Sequence, residues 1–252
     1  MNVFITGVSK GIGRELVKQL VKNGHTVWGI SRSDNLLRAL AREVGKDRFF
    51  YTVCDVSNEN DVKKTMIKMK RYSFIPDVII LNAAIFHDDM KPYYSNRILL
   101  KTFTVNLFGA LTWVEKFLPD FLTRGGGHFI ASSSTSAFRP DFNSVSLPAS
   151  KAALSMAFRS LRLRYTSENI IFSTVHFGPV ATGISPKYVS LSGGPKYPFV
   201  LTTSQAAGYM QRVIKERKPK DYFFPFVTTL AFRLTLFFPD SFFAMISRIL
   251  KR

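Results

Sequence analysis

Short apolar runs alternate with segments of helical periodicity through the first two thirds of the chain. The runs are rich in Val, Ile or Phe, as expected for parallel strands that helices cover on both faces. They are Val3–Thr6, Thr26–Ile30, Phe49–Val53, Val78–Leu81, His128–Ser132 and Ile170–His176. Helical patterns cover Gly13–Asn23, Asn35–Val44, Asn58–Arg71, Arg97–Leu122 and Ala149–Ser167. The alternation predicts an α/β fold with a doubly wound, mostly parallel sheet.

The last third of the chain has a different character. Gly and Pro are concentrated over residues 178–200, which predicts a long substrate loop. Thr202 or Thr203 is then placed to cap a helix that ends near Glu216. Phe and Leu dominate from residue 221 onward. We therefore predict one domain over 1–220 and a short hydrophobic, basic C-terminal helical extension over 221–252.

The chain is strongly basic, with 35 Lys and Arg against 17 Asp and Glu and a formal net charge of +18. Such a charge favours anionic surfaces, but it also arises from Lys spread over solvated helix faces. The sequence has no zinc-ligand spacing and no Arg-rich tract, so we expect neither a metal site nor specific nucleic-acid binding. Cys54 is the single cysteine, and Met1 leads directly into the first predicted strand. These features favour a cytoplasmic protein.

A glycine-rich segment, Thr6-Gly7-Val8-Ser9-Lys10-Gly11-Ile12-Gly13, joins the first predicted strand to the first helix. Glycines there allow the backbone to approach a pyrophosphate, which rests on the positive end of the helix. The place of this segment between strand and helix predicts a dinucleotide-binding domain of the Rossmann type. The residues expected at the cofactor are Gly7, Ser9, Lys10, Gly11, Ile12 and Gly13.

The residue after the second strand indicates which dinucleotide is bound. An acid there binds the ribose 2′-hydroxyl of NAD, whereas a basic side chain accommodates the 2′-phosphate of NADP. Arg32 follows the second predicted strand, and the next acid is Asp34. Lys10 is expected beside the same phosphate. The sequence therefore predicts NADP(H).

Further motifs follow the later strands in order. They are Asp55-Val56, Asn82-Ala83-Ala84, Asn106 in the long helix, Ser132-Ser133-Ser134 and Ser150-Lys151-Ala152-Ala153. Together with the glycine loop they resemble the short-chain dehydrogenase/reductase family over roughly residues 1–220. The resemblance implies an oxidoreductase and a homo-oligomer. It also implies further cofactor contacts by Asp55, Val56, Asn82, Ala83, Lys151, Gly178 and Thr182.

The resemblance assigns catalysis to Ser134, Lys151 and Asn106. In this family a tyrosine four residues before the lysine is the general acid and base. That position holds Leu147, and no tyrosine occurs between residues 95 and 164. Leucine has no proton to donate, and positioned general acid–base catalysis is worth about 10²–10⁴-fold. Ordinary carbonyl reduction should therefore be badly weakened.

Three explanations of Leu147 stay open. In the first, the protein binds NADP(H) without catalysis and serves as a sensor or a membrane-peripheral scaffold. In the second, another group supplies the proton. In the third, the leucine was introduced by engineering. The last is disfavoured because Ala84 and Phe177 also depart from the family pattern. The other proton sources are a relay water, Ser134, Ser146, Lys151, Tyr93, Tyr94 and Tyr188. We favour an active enzyme that acts on a lipophilic carbonyl or alcohol.

Two interpretations of the extension over 221–252 also stay open. It packs over the substrate cleft or a subunit interface, or it lies on an anionic membrane surface as an interfacial helix. Arg233, Pro239 and Asp240 interrupt its apolar run, so a full membrane span is not expected. Elsewhere, His176 is a secondary candidate beside the nicotinamide. The segment 87–89 (His-Asp-Asp) fits a solvated loop better than a cation site.

Overall fold

A computed structural model of the chain describes residues 1–90, 92–141, 144–182, 190 and 199–226, with residues 230, 234, 237–239, 241 and 245 beyond them. Among these residues, seven parallel strands form one sheet in the order β3-β2-β1-β4-β5-β6-β7. The strands are β1 (Asn2–Thr6), β2 (Thr26–Ser31), β3 (Phe49–Val53), β4 (Val78–Leu81), β5 (Gly127–Ser134), β6 (Ile170–Phe177) and β7 (Asp221–Phe224). The predicted doubly wound α/β fold is confirmed.

Helices cover both faces of the sheet. They are α1 (Gly11–Lys22), α2 (Asp34–Val44), α3 (Glu59–Arg71), α4 (Asn96–Phe103), α5 (Gly109–Arg124), α6 (Ser146–Arg164) and α7 (Thr203–Glu216). One core layer joins α1, α2 and α7 to the sheet and includes Leu16 and Met210. The opposite layer joins α3, α5 and α6 to it and includes Trp113 and Phe158. Each buried side chain of this size contributes roughly 1.5–3 kcal/mol, so both layers anchor the sheet.

Local signals explain where several helices begin. The Asn58 side chain accepts hydrogen bonds from the backbone at the start of α3, and Thr202 forms a reciprocal capping box with Gln205 at the start of α7. The cap at Thr202 was predicted from the sequence. Helix α6 begins at Ser146, three residues before its predicted start. The reason is that Pro148 fits the first turn, where a missing N–H breaks no helical hydrogen bond.

The long helix predicted over Arg97–Leu122 contains an irregular turn. Residues Thr104–Phe108 form a π-helical turn between α4 and α5. Such turns accommodate an extra residue and are frequent at functional sites. Asn106 lies at the centre of this turn.

Strand β7 was not predicted. Residues 221–252 were expected to form a C-terminal extension, whereas Asp221–Phe224 pairs with β6 as the seventh strand of the sheet. The run Tyr222–Phe224 continues into further apolar residues, so the pattern did not mark it as a separate strand. Of the predicted extension after residue 226, the structure describes only residues 230, 234, 237–239, 241 and 245. Within the part of the chain that the structure describes, no helix has the length and apolar character needed to cross a membrane.

Candidate active site

The carboxyl ends of β1, β4, β5 and β6 meet at one edge of the sheet. The winding of the chain reverses between β1 and β4, and ligands of doubly wound sheets bind in the crevice at that point. Every predicted site residue that the structure describes lies on one of these strands or on a segment that follows a strand. The topology therefore brings the predicted residues to one side of the molecule.

The glycine loop makes close backbone contacts that side chains would prevent. Gly7 has a φ of +76°, and a Cβ added there would lie 2.8 Å from the Cα of Ala83. A Cβ on Gly13 would lie 2.6 Å from the side-chain nitrogen of Asn82. Among the described residues, no side chain caps the N-terminus of α1, and its first turn contains no acid. The backbone N–H groups there are therefore available to an anion.

Asn82 and Thr6 hold the glycine loop against the end of β4. The hydroxyl of Thr6 accepts hydrogen bonds from the backbone N–H groups of Asn82 (3.0 Å) and Ala83 (2.9 Å). The Asn82 amide donates to the carbonyls of Thr6 and Gly7 at 3.2 and 3.1 Å. Its side chain thus fixes the shape of the loop, while its predicted contact with the cofactor stays a prediction.

Arg32 and Asp55 lie together beyond the ends of β2 and β3. The Arg32 guanidinium is 3.7 Å from the Asp55 carboxylate, and 60% of its side chain is exposed. Asp55 also accepts hydrogen bonds from the backbone (2.9 Å) and hydroxyl (2.6 Å) of Ser57. Burial opposes ionisation of Asp55, but the Ser57 bonds and the charge of Arg32 outweigh it and lower its pKa. The next residue, Val56, is buried, so its side chain is part of the core.

Lys151 is buried against the end of β5. Its ammonium donates a 2.7 Å hydrogen bond to the carbonyl of Ser132, and burial lowers its pKa to about 8. Ser134 is the last residue of β5, and its hydroxyl accepts a 3.1 Å bond from the backbone of Ser136. The fold therefore places both predicted catalytic residues at the carboxyl end of this strand.

A chain of hydrogen bonds connects the π-helical turn to the start of α6. Asn106 accepts from the backbone N–H of Ile85 (2.8 Å) and donates to its carbonyl (3.1 Å). The Asn106 amide also donates to the hydroxyl of Ser150 (3.2 Å), which donates to the carbonyl of Leu147 (3.0 Å). Asn106 is fully buried. Its side chain therefore positions the segments around the site, and its predicted catalytic role stays a prediction.

Asp89 holds the first turn of α6, a role that the sequence analysis missed. Its carboxylate accepts hydrogen bonds from the backbone N–H groups of Val145 (2.9 Å) and Ser146 (2.8 Å). Burial alone would raise the pKa of Asp89, but hydrogen bonds from Ser146 and Ser144 outweigh it and lower the pKa. The polar segment 87–89 is visible in the sequence, but Asp89 and Ser146 are 57 residues apart, so a local pattern could not predict their contact.

Among the described residues, no group of side chains could hold a metal ion.

The segment after β6 lies beside the glycine loop. A Cβ on Gly11 would lie 3.4 Å from the Thr182 methyl group, and the backbone N–H of Gly178 donates to the carbonyl of Phe224 at 2.8 Å. The predicted cofactor residues Gly178 and Thr182 are therefore at the same edge as the loop. Residues 183–189 and 191–198 of the predicted substrate loop lie outside the described residues.

His176 is enclosed by aromatic rings. Its ring lies 4.7 Å from that of Phe138 and stacks on that of Phe223 at 4.9 Å. Burial lowers its pKa to about 4, although Asp221 partly opposes the shift. The neutral ring forms no ion pair with Asp221, whose carboxylate is 3.9 Å away and is held by Arg159 and Arg162. His176 is therefore not charged at neutral pH.

A protein-family model for short chain dehydrogenases matches residues 1–190, about three quarters of the chain. The chain belongs to the short-chain dehydrogenase family. This membership agrees with the order of the motifs along the chain: the glycine loop, Asn82, Ser134 and Lys151. The resemblance identified in the sequence is thus confirmed at the level of the family.

Individual relatives are distant. Short-chain dehydrogenase/reductase 3 of Homo sapiens is 28% identical over 167 residues, which cover 64% of this chain and 55% of the relative. NADPH-dependent pterin aldehyde reductase of Arabidopsis thaliana is 32% identical over 134 residues, covering 52% of this chain and 55% of the relative. The chain thus spans about half the length of these curated relatives.

The fold has close parallels among solved structures. The closed form of serine dehydrogenase complexed with NADP+ matches with a TM-score of 0.78, covering 88% of this chain and 94% of that protein. Its sequence identity is 19%, so the match supports the fold alone.

Proposed function

We propose that this member of the short-chain dehydrogenase family is an NADP(H)-dependent oxidoreductase that acts on a lipophilic carbonyl or alcohol. The observation that carries the proposal is the buried ammonium of Lys151 at the carboxyl end of β5. Among the described residues, no carboxylate pairs with it. Keeping an unpaired lysine buried costs free energy that an apolar residue would not. A role at a reaction site explains that cost.

The glycine loop fits the phosphates of a dinucleotide. The uncapped start of α1 offers backbone donors, and the positive φ values of Gly7 and Gly11 favour glycine at both positions. Arg32 supports NADP(H), because among the described residues its exposed guanidinium makes only a 3.7 Å contact with Asp55 and so keeps donors for a 2′-phosphate. Lys10 adds a second exposed cation. When bound, the nicotinamide supplies the hydride that reduces a carbonyl carbon.

Lys151 is the best-placed source of the proton that Leu147 cannot provide. A pKa of about 8 leaves its ammonium protonated at neutral pH yet able to release a proton. Ser134 is the neighbouring hydroxyl expected to bind the substrate oxygen. Tyr93 and Tyr94 are 77% and 45% exposed, and the Ser146 hydroxyl is buried and bonded to that of Ser144. Those three groups are weaker candidates, while Tyr188 lies outside the described residues.

Exposed apolar side chains support a lipophilic substrate. Phe199, at the end of the predicted substrate loop, is 48% exposed, and Phe226, after β7, is 67% exposed. Such side chains favour contact with an apolar ligand, a second subunit or a membrane surface. The homo-oligomer and the membrane-peripheral location expected from the sequence remain proposals of the same kind.

Turnover of NADPH with a panel of long-chain and aromatic ketones tests the proposed function. The wild-type protein should oxidise NADPH in a ketone-dependent manner. Lys151→Met, which preserves bulk, should lose at least about 10²-fold of the rate. Lys64→Ala, which removes an exposed cation on α3, should be unchanged. Saturable NADPH binding without turnover of any ketone would oppose the proposal.

Leu147 favours a second candidate function, that of a non-catalytic NADP(H)-binding protein. A leucine at this position removes the usual proton donor while leaving the glycine loop intact. The variant Leu147→Tyr separates the candidates when it is added to the same assay. If the wild type is inactive and Leu147→Tyr gains ketone reduction, the protein has lost catalysis through this one position. If the wild type is active, the second candidate is excluded.

A further inference from the structure

A groove lies along the open edge of the sheet, on strand β3. Within the described part of the chain, this strand pairs with β2 alone. Val27 donates its backbone N–H to Arg48, and Cys54 donates to Ser31. Because backbone groups of successive residues in a parallel strand alternate in direction, those of Phe49, Tyr51 and Val53 face the open edge. An edge of this kind is a template for another strand.

Helices α2 and α3 form the two sides of this groove, which has a volume of about 530 Å³. Arg38 and Arg42 of α2 line one side, and Lys68 of α3 lines the other. The floor contains stacked aromatic pairs, Phe49 with Tyr51 and Trp28 with Phe50. Lys68 also donates a 2.9 Å hydrogen bond to the carbonyl of Tyr51, so a strand that pairs along β3 has to displace this ammonium. The other outward backbone groups of β3 have no hydrogen-bond partner among the described residues.

The groove is positively charged. Four of its lining side chains are cations (Arg38, Arg42, Lys46 and Lys68), and none is an acid. Arg38 is paired with Asp34 at 2.7 Å. In the described part of the chain, Arg42 and Lys46 have no ion-pair partner. Lys68 has no ion-pair partner there either, so the groove has three unneutralised cations beside the outward edge of β3.

We propose that this groove binds an acidic peptide segment in extended conformation, which adds to β3 as an eighth strand. Main-chain hydrogen bonds to the edge supply affinity, and carboxylates at alternate positions meet Arg42 and Lys46. A second copy of this chain is disfavoured because two such edges would bring like charges together. A nucleic acid would leave the outward backbone groups of β3 unused, and it would find Phe49 and Trp28 too buried for stacking.

A short peptide of alternating Glu and Val, labelled with a fluorophore, tests the proposal by fluorescence anisotropy. The full chain should bind it, and the double variant Arg42→Glu/Lys46→Glu should weaken binding roughly tenfold or more. The matched control Lys22→Glu/Lys215→Glu makes the same change in net charge at exposed positions on α1 and α7. It should alter binding less than about twofold, since surface charges this far apart are screened.

Two further measurements identify the mode of binding. A peptide N-methylated at alternate residues, and therefore unable to donate to β3, should fail to bind. Hydrogen exchange at the amides of Phe49, Tyr51 and Val53 should slow when the unmethylated peptide is present. The proposal is overturned if no peptide binds, if both double variants lose affinity equally, or if a single-stranded oligonucleotide occupies the groove and the peptide does not. None of these results depends on turnover of NADPH.

Discussion

Lys151 and Leu147 lie one helical turn apart. They have different roles at the site, because only the lysine can take part in proton transfer. Residues at i and i+4 share a helix face, so both side chains start from the same side of α6. The leucine can only exclude water, whereas the buried lysine can hold and release a proton. Burial shifts the pKa of Lys151 from 10.5 to about 8, which brings it into the range useful for acid–base catalysis.

The pH dependence of turnover tests this role for Lys151. Ketone reduction needs the protonated amine, so its rate should be level below pH 8 and fall about tenfold per pH unit above it. Alcohol oxidation needs the neutral amine and should rise through the same pH. Lys151→Arg stays charged throughout and should abolish this transition. A wild-type profile that is level to pH 10 would argue against Lys151 as the acid.

Arg32 makes a separate prediction about cofactor choice. Arg32→Ala should weaken NADPH binding roughly 10–100-fold, because a hydrogen bond to a charged group contributes about 1.5–3 kcal/mol. NADH, which lacks the 2′-phosphate, should bind the variant as it binds the wild type. Titration calorimetry with both cofactors measures the difference, and Arg71→Ala in α3 is the matched control. Equal loss for NADPH and NADH would mean that Arg32 does not bind the 2′-phosphate.

At the scale of elements, the first turn of α6 is held from outside the helix. Asp89 caps its N-terminus, while Ser150 connects it to Asn106 in the π-helical turn. A carboxylate at this end also interacts favourably with the helix dipole. These contacts fix the segment that carries Leu147, although the side chain of α6's own N-cap residue, Val145, forms no capping hydrogen bond.

Asp89→Asn should reduce the free energy of unfolding by about 1–3 kcal/mol. The amide nitrogen of Asn replaces one carboxylate oxygen and cannot accept a hydrogen bond, so one of the two backbone N–H groups loses its partner. Urea unfolding at neutral pH measures the change. The pKa of Asp89 lies below its ordinary value of 3.8. Its stabilisation is therefore present at neutral pH and is lost as the pH falls below that value. The control Asp120→Asn, at an exposed position on α5, should change the free energy of unfolding by less than about 0.5 kcal/mol. Equal effects of the two variants would contradict a capping role for Asp89.

The sequence was informative where local patterns determine structure. Continuous apolar runs marked the first six strands, and Asn58 and Thr202 marked helix starts. The π-helical turn around Asn106 was not predicted, because one extra residue scarcely changes the apolar periodicity. The capping contact of Asp89 and the position of β7 depend on long-range packing, which periodicity does not encode. The glycine loop and Lys151 were recognised from their motifs, but the buried setting that lowers the pKa of Lys151 required the fold.

At the scale of the whole molecule, the two proposed binding regions are separate. The cofactor residues follow the carboxyl ends of the strands, whereas the groove on β3 begins at Lys46, before that strand. A peptide in the groove would therefore leave the glycine loop accessible. The net charge of +18 favours acidic partners generally, so only the comparison of matched charge variants can assign binding to this groove.

The most direct test of oxidoreductase function is transfer of deuterium in a single turnover. The protein is loaded with NADPH carrying two deuterium atoms at C4 of the nicotinamide, mixed with a lipophilic ketone, and the alcohol is analysed by mass spectrometry. We expect one deuterium in the alcohol formed by the wild type and almost none with Lys151→Met. The proposed function would be contradicted by two results together. The bound cofactor would keep both deuterium atoms with every ketone tested, and no hydride would pass in the reverse direction from the corresponding alcohols to NADP+.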